Sequence, residues 1–304
     1  MEVNKELFQP VPSENKNLDV IVRPSVTYWR DAWNRLKKNR LAMVGLIFVI
    51  LITLAAIIGP YLSKYDYRTN NLMISNEGPS NSHWLGTDQF GRDIFTRILY
   101  GARISLTVGY AASILNVVIG ILYGGISGYF GGLVDNIMMR IVEVVYAIPM
   151  TIYVILLMVI MGAGLKSIII ALTISYWVDM ARIVRGEILQ LKQQEFVLAA
   201  KTLGAPDRRI LIKHLIPNCL GSIITTMTMS IPSAIFTESF LSFIGLGVSL
   251  PQASWGTLAS DALQGYTVYP YQLFFPALAI SITMLAFNFL GDGLRDALDP
   301  KMRR

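Results

Sequence analysis

Six stretches of this chain are almost purely apolar, at residues 41–62, 104–126, 144–161, 168–180, 220–243 and 273–290. Most come near the roughly 20 residues that a helix needs to cross about 30 Å of hydrocarbon. The 168–180 stretch is the shortest of them. An unpaired backbone N–H or C=O is too costly in lipid, so only helices and closed barrels span a bilayer. None of the stretches shows the short period-two alternation of a barrel strand. The pattern predicts an all-α membrane protein with about six transmembrane helices.

The polar intervals carry patterns of their own. Residues 1–28 include Pro10, Pro12 and Pro24, mixed charges and no apolar period, which predicts a mobile tail. From Trp29 onward, Trp29, Trp33 and Leu36 recur at helical spacing beside Arg30, Lys37 and Lys38. That suits an amphipathic helix at the membrane interface or, equally, a plain extension of the first span. The interval between the first two stretches is too long for a structureless connection and should be organised. Within it, residues 83–103 mix glycines, acids and bases, whose opposite charges can pair locally. The loop 247–272 holds Pro251, Ser254, Trp255, Gly256 and Asp261, and should present turns and an aromatic at the membrane surface.

The interval 182–217 is too polar to cross lipid yet rich in helix formers, so it reads as helical. Ala199 and Ala200 offer a flat surface for close approach. Gly204 can take the positive φ that ends a helix, and Asp207 can cap a following short helix at 208–215. On that helix Ile210, Leu211 and His214 or Leu215 fall on one face and Arg208, Arg209 and Lys213 elsewhere. This is the pattern of a helix seated in a partner's groove, although a surface hairpin without a partner would look the same. Pro217 fits a first helical turn, where its missing N–H costs little.

Composition agrees with the pattern and adds orientation. Of 304 residues, 53% are hydrophobic and 15% charged, against about 25% charged in a soluble domain. The first apolar stretch follows a long polar run and has no small-residue cleavage site, so it should be a retained helix rather than a signal peptide. Lys and Arg concentrate on the cytoplasmic side of membrane proteins. With the N-terminus inside, that side holds Arg30, Arg35, Lys37, Lys38 and Arg40, then Arg140, then the 182–213 group, then Arg295, Lys301, Arg303 and Arg304. The other side holds Lys64, Arg68, Arg92, Arg97, Arg103 and Lys166, so both termini are expected in the cytoplasm. The basic N-terminal segment lacks interleaved stacking aromatics and adjoins a span, which argues against nucleic-acid binding.

Several chemistries are excluded. Cys219 is the sole cysteine, so no intrachain disulfide and no multi-cysteine metal site can form. His83 and His214 are isolated, and no metal site is expected. No G-x-x-x-x-G-K-[ST] phosphate loop occurs, so the chain has no evident means of cradling ATP phosphates. No convergent acid, base and nucleophile set suggests an enzyme. Nor do clear repeats with broken helices and midplane charges suggest a secondary transporter. Among polar groups near the spans, Arg140 with Glu143 and Asp179 with Arg182 should pair at helical spacing. Glu238 has no basic partner nearby in sequence, and could line a translocation path, touch a neighbouring subunit or simply pack. Gly120, Gly124, Gly125 and Gly128 make the second span a close-packing face.

Particular strings now bear on family. Leu198-Ala199-Ala200-Lys201-Thr202-Leu203-Gly204, followed by His214-Leu215-Ile216-Pro217, resembles the coupling-loop motif of ABC importer permeases. The Ala-Ala, Gly and Pro slots match in register, whereas Leu198, His214 and Ile216 stand where the motif has Glu, Ile and Leu. Residues 85–93, 240–247, 254–256 and 288–300 resemble the oligopeptide, dipeptide and nickel branch of that family, most closely its C-type oligopeptide permeases. The resemblance runs from about Trp29 to Arg304.

It implies the ABC type I importer fold, divided as a tail at 1–28, an N-terminal helix, first span and extracytoplasmic segment at 29–103, a transmembrane domain at 104–293 and a tail at 294–304. It also implies a second homologous permease, two ABC ATPases that hold ATP and Mg, and an extracytoplasmic peptide-binding protein, in the cell membrane. Leu198, Ala199, Ala200, Gly204, Ala205, Asp207, Arg208, Leu211 and Pro217 would then couple to an ATPase. Asp88, Arg92, Asp93, Ser254 and Trp255 would meet the binding protein. The cargo implied is a peptide or, alternatively, a nickel chelate.

Overall fold

The computed structural model describes residues 27–249 and 251–299. Of the tails expected over 1–28 and 294–304, residues 1–26 and 300–304 lie outside that description. Most of the described residues are helical, and among them there is no strand, only an isolated bridge between Thr87 and Asp93. In chain order the helices are α1 (Tyr28–Lys38), α2 (Arg40–Leu62), α3 (Ile94–Phe130), α4 (Gly132–Ala147), α5 (Met150–Met161), α6 (Leu165–Leu191) and α7 (Glu195–Thr202). There follow α8 (Asp207–Arg209), a π-helical turn (Ile210–Leu215), α9 (Ile216–Asn218), α10 (Leu220–Phe243), α11 (Trp255–Ala262) and α12 (Pro270–Leu298).

Five of these, α2, α3, α6, α10 and α12, are long and apolar enough to cross a membrane. The stretch expected as a third span at 144–161 is not one helix. It breaks at Ile148 and Pro149, and α4 and α5 meet there at 80°. Proline lacks an N–H and pushes the residue before it out of helical conformation; Ile148 is extended, at φ −87° and ψ 122°. The twelve residues of α5 reach only about 18 Å at 1.5 Å per residue, short of the hydrocarbon thickness. The expectation of six spans holds only if the bent pair counts as one. Conversely, the 168–180 stretch lies within a 27-residue helix, α6, whose polar C-terminal half hid its length from the hydropathy pattern.

Helix α3 is the centre of the bundle, packing on α6 most extensively and also on α10 and α2. The glycine face explains how. A Cβ at Gly120 would run into Met180, one at Gly124 into the Ala181 backbone, and one at Gly128 into the Arg185 backbone at 2.9 Å. Without side chains at these positions, α3 and α6 approach backbone to backbone. One core cluster of the bundle joins Trp255, Phe287, Ile235 and Leu106 from four different helices.

The N-terminal helix is a separate element, not an extension of the first span. Asn39 is extended, and its side chain accepts from Ala42 N–H at 3.1 Å to cap α2. Helix α1 buries Leu36 against Ala42 and Ala297 and buries Ala32 as well, leaving Trp29 and Trp33 exposed. The Tyr28 hydroxyl donates to the Leu298 carbonyl at 3.2 Å, tying α1 to the end of α12.

Candidate functional site

Two polar assemblies lie at opposite ends of α3, and a buried carboxyl lies between them. The first is the loop between α6 and α10. Helix α7 ends in a Schellman arrangement: Gly204 N–H donates to Lys201 O at 2.9 Å and Ala205 N–H to Ala200 O at 3.0 Å. Gly204 sits at φ +77°, the conformation expected of it, with open space around its Cα. The chain then reverses into α8 and the π-helical turn. Asp207 does not cap this turn as expected. Pro206 occupies the cap position, and the Asp207 carboxylate instead accepts from the Tyr129 hydroxyl, at 2.5 Å, in the last turn of α3. The Lys201 ammonium lies 5.6 Å above the same Tyr129 ring.

The apolar face of the 208–215 segment also turns the other way. Ile210 and Leu215 are fully buried against Tyr129, Val184, Ile188 and Val197 of this chain, with Leu211 half-buried beside them. They anchor the loop to the bundle. What faces outward is Phe196, Leu198, Ala199, Leu203, Gly204, Arg208 and Pro217. Leu203 is 87% exposed, an apolar knob at the tip of the turn. Of the residues expected to act there, Ala200 and Ala205 are half-buried in the supporting core.

Below this loop the helix ends are tied by charge. Arg185 of α6 makes a two-pronged pair with Asp135 of α4, at 2.5 and 2.6 Å, and Ser127 of α3 donates to the same carboxylate. Lys192 donates to Gly128 O at 2.9 Å, and Ser222 of α10 to Glu187 of α6 at 2.7 Å. Arg140 and Glu143 pair as expected, although both are well exposed. Arg182 does not pair with Asp179 but lies over the Tyr146 ring at 4.5 Å. Cys219, between α9 and α10, is buried, and burial followed by the nearby Glu187 carboxylate pushes its thiol up to about 12.

The second assembly is a charged knot at the start of α3. Asp88 accepts from Arg92 Nε at 2.7 Å and from Arg97 Nη1 at 2.5 Å, and also caps its own turn through Phe90 and Arg92 N–H. Asp261 of α11 faces both guanidinium groups at 3.7 and 3.6 Å. Asp93 caps α3 through Thr96 and accepts from His83 at 3.0 Å. Opposite charges in the 83–103 string do pair locally, but the pairing buries them. Asp88, Arg92 and Asp93 are each under a tenth exposed, and Ser254 and Trp255 are fully buried. These five were expected to form an outer contact surface, and Trp255 to sit at the membrane surface. They are interior instead, because the knot and the Trp255 indole, donating to Ile98 O at 3.0 Å, pin α11 to α3.

Glu238 of α10 lies between the two assemblies and is fully buried. Ser105 of α3 donates to it at 2.9 Å and Ser242 at 2.8 Å, while Ser254 donates to Ser242 and caps α11. The carboxyl joins three helices inside this chain, so it faces neither a path nor a neighbouring subunit here. Among the described residues no group of His, Cys, Asp and Glu could hold a metal ion.

Comparisons with known proteins fit this geometry. Residues 117–304 match the family described as binding-protein-dependent transport system inner membrane component, and residues 27–79 match the N-terminal TM domain of oligopeptide transport permease C. The chain belongs to that transport family. It is 54% identical to the oligopeptide transport system permease protein OppC of Bacillus subtilis (strain 168) over 302 residues, 99% of each chain. It is also 54% identical to the dipeptide transport system permease protein DppC of the same organism, over all of this chain and 95% of that one. A permease protein of the glutathione transport system, GsiD of Pectobacterium atrosepticum, is 42% identical over 94% of this chain and 96% of its own length. Among solved structures, a chain of the inward-facing MetNI methionine ABC transporter superposes with a TM-score of 0.57, covering 68% of this chain and 98% of that one at 20% identity. That likeness shows the ABC importer permease fold, as the coupling-loop resemblance implied.

As an inner-membrane component of such a system, the chain is a multi-pass transport protein. The Tyr129–Asp207 link and the Asp261 arm of the knot had no signal in local sequence, since each joins residues far apart in the chain. Only the density of mixed charges in 83–103 pointed toward the knot.

Proposed function

We propose that this chain is one permease half of an ATP-driven importer of oligopeptides or dipeptides. It pairs with a second homologous permease, two ABC ATPases and an extracytoplasmic peptide-binding protein. Both termini and the 185–217 loop face the cytoplasm, as the distribution of Lys and Arg supports. The observation that carries the reading is the outward face of that loop: Leu198, Ala199, Leu203, Gly204 and Arg208 stand clear of the bundle while Ile210 and Leu215 root the loop in it. An ATPase seated on that face moves the loop when it closes on ATP and Mg. The spans then shift between inward-open and outward-open states, provided ATP and cargo bind those states with different affinity.

Peptide as cargo rests on the two relatives that are 54% identical over nearly the whole chain and carry oligopeptide and dipeptide transport in their names. The test is uptake of labelled dipeptides, oligopeptides, glutathione and a nickel chelate in cells lacking this chain and in cells complemented with it. Loss of peptide uptake restored by complementation is expected. Undiminished peptide uptake with loss of glutathione or nickel uptake overturns the cargo, and uptake by this chain reconstituted alone overturns the importer.

A further inference from the structure

A cleft lies on the flank of the charged knot, at the junction of the end of α2, the outer segment and the start of α3. Its volume is about 340 Å³, and its lining includes Leu62, Lys64, Tyr65, Trp84 and Phe95. Three features define what it can hold. First, it opens at Leu62, the last residue of the most apolar span, whose lipid-facing side chains Ile57, Ile58, Tyr61 and Leu62 are exposed on this chain. A cleft within two residues of a span end lies at headgroup depth. Second, its one cation is exposed. Lys64 lies 5.8 Å from the Tyr65 ring, while the acid in the lining, Asp93, has both carboxylate oxygens occupied by Thr96 and His83. Third, its wall is aromatic and rigid. Tyr65 is pinned by donating to Ser82 O at 2.8 Å, and Trp84, two-thirds exposed, packs on Phe95 at 5.2 Å between centroids.

We propose that this cleft binds the headgroup of an anionic glycerophospholipid, with the phosphate on Lys64 and the upper acyl chain against Leu62, Trp84 and Phe95. An exposed ammonium beside an apolar wall is the arrangement an amphiphile with a phosphate and an adjoining hydrocarbon tail satisfies at once. A volume near the low end of the roughly 300–1,000 Å³ typical of small-ligand sites fits one headgroup rather than a folded partner. The lipid holds the outer segment at a fixed depth, so that the knot on which α11 rests is referenced to the bilayer.

The test is native mass spectrometry of the full chain titrated with phosphatidylglycerol, and separately with glycerol 3-phosphate. Lys64→Ala should weaken lipid retention about fivefold, the factor expected for one lysine at a headgroup, and Trp84→Ala should weaken it by removing part of the apolar wall. Lys166→Ala, another exposed lysine outside the cleft, should leave retention unchanged. Glycerol 3-phosphate alone should not compete, because it lacks the hydrocarbon that the aromatic wall receives. Equal weakening by Lys166→Ala overturns the site. So does full competition by glycerol 3-phosphate, which would make it a free-phosphate site. Loss of binding-protein capture in Trp84→Ala with lipid retention intact overturns it in favour of a protein contact.

Discussion

The Tyr129 hydroxyl donates to the Asp207 carboxylate across 2.5 Å, linking the last turn of a 37-residue membrane helix to the exposed turn between α7 and α10. It is a direct polar contact between that turn and α3, whereas Ile210 and Leu215 make non-directional apolar contact. Tyr129→Phe removes the hydroxyl and keeps the ring. We expect normal membrane levels and a fall of about fivefold in peptide transported per ATP hydrolysed, the loss of one partly buried charge-assisted bond. Reconstituted vesicles measure both quantities, and an unchanged ratio means the bond has no part in coupling.

Gly204→Asp places a side chain at φ +77° and a charge beside the exposed knob of Leu203, and Ala200→Arg forces a guanidinium into the half-buried support of the same turn. Strain at the first site is about 1 kcal/mol, too little to unfold a membrane bundle. Both variants should insert and accumulate normally yet take up no peptide. Wild-type uptake in either one removes the loop from the coupling step.

Gly124→Val tests the packing face. The new side chain meets the Ala181 backbone, which cannot step aside, so the α3–α6 contact must open. Overpacking of this kind costs about 1–3 kcal/mol. Gly186→Ala, a helical glycine with nothing near its would-be Cβ, should be neutral or slightly stabilising. Thermal melting in detergent should separate the two by several degrees, and equal midpoints would dismiss the glycine face as a cause of close packing.

Cys219 should be chemically silent. Its thiol is buried and held near 12, and the thiolate is the form that attacks maleimide. At pH 7.5 the folded protein should resist labelling, whereas protein unfolded in dodecyl sulfate should label fully. Raising the pH to 9.5 should speed labelling of the unfolded chain far more than of the folded one, because only the unfolded thiol titrates in that range. Rapid labelling of folded protein at pH 7.5 would contradict the buried placement between α9 and α10.

Glu238 separates shape from hydrogen bonding. Glu238→Gln keeps a polar partner for both hydroxyls, its oxygen accepting from one of Ser105 and Ser242 and its NH2 donating to the other, while Glu238→Leu leaves both hydroxyls facing hydrocarbon at roughly 1–3 kcal/mol each. Since Ser254 joins the same network and caps α11, the leucine variant should expose the 247–272 loop to protease from the outer side and the glutamine variant should not. Equal resistance in both would show that α11 is held by Trp255 and the knot alone.

Much of this architecture was legible in the sequence because lipid imposes one rule on every span. The bounds of α10, the glycine face and the turn at Gly204 each follow from a local pattern, whereas the pattern over 29–40 left a separate α1 and an extension of the first span equally open. The bent α4–α5 pair was also signalled, by Pro149, but an apolar run masked the break. The orientation of the 208–215 face was not legible. An amphipathic helix declares that one side is covered, not by what, and here Val184, Ile188 and Val197 of the same chain cover it. Likewise, charges in the outer segment read as surface chemistry because their burying partners, Asp261 and Gln272, arrive from more than 150 residues downstream.

Helix α3 carries the charged knot at one end and Tyr129 at the other, roughly 55 Å apart at 1.5 Å per residue. Over that distance α3 is one unbroken, proline-free helix, seated on α6 through a glycine seam nearer the Tyr129 end. If the turn between α7 and α10 takes the push proposed above, the element that receives it is also the one on whose far end α11 rests.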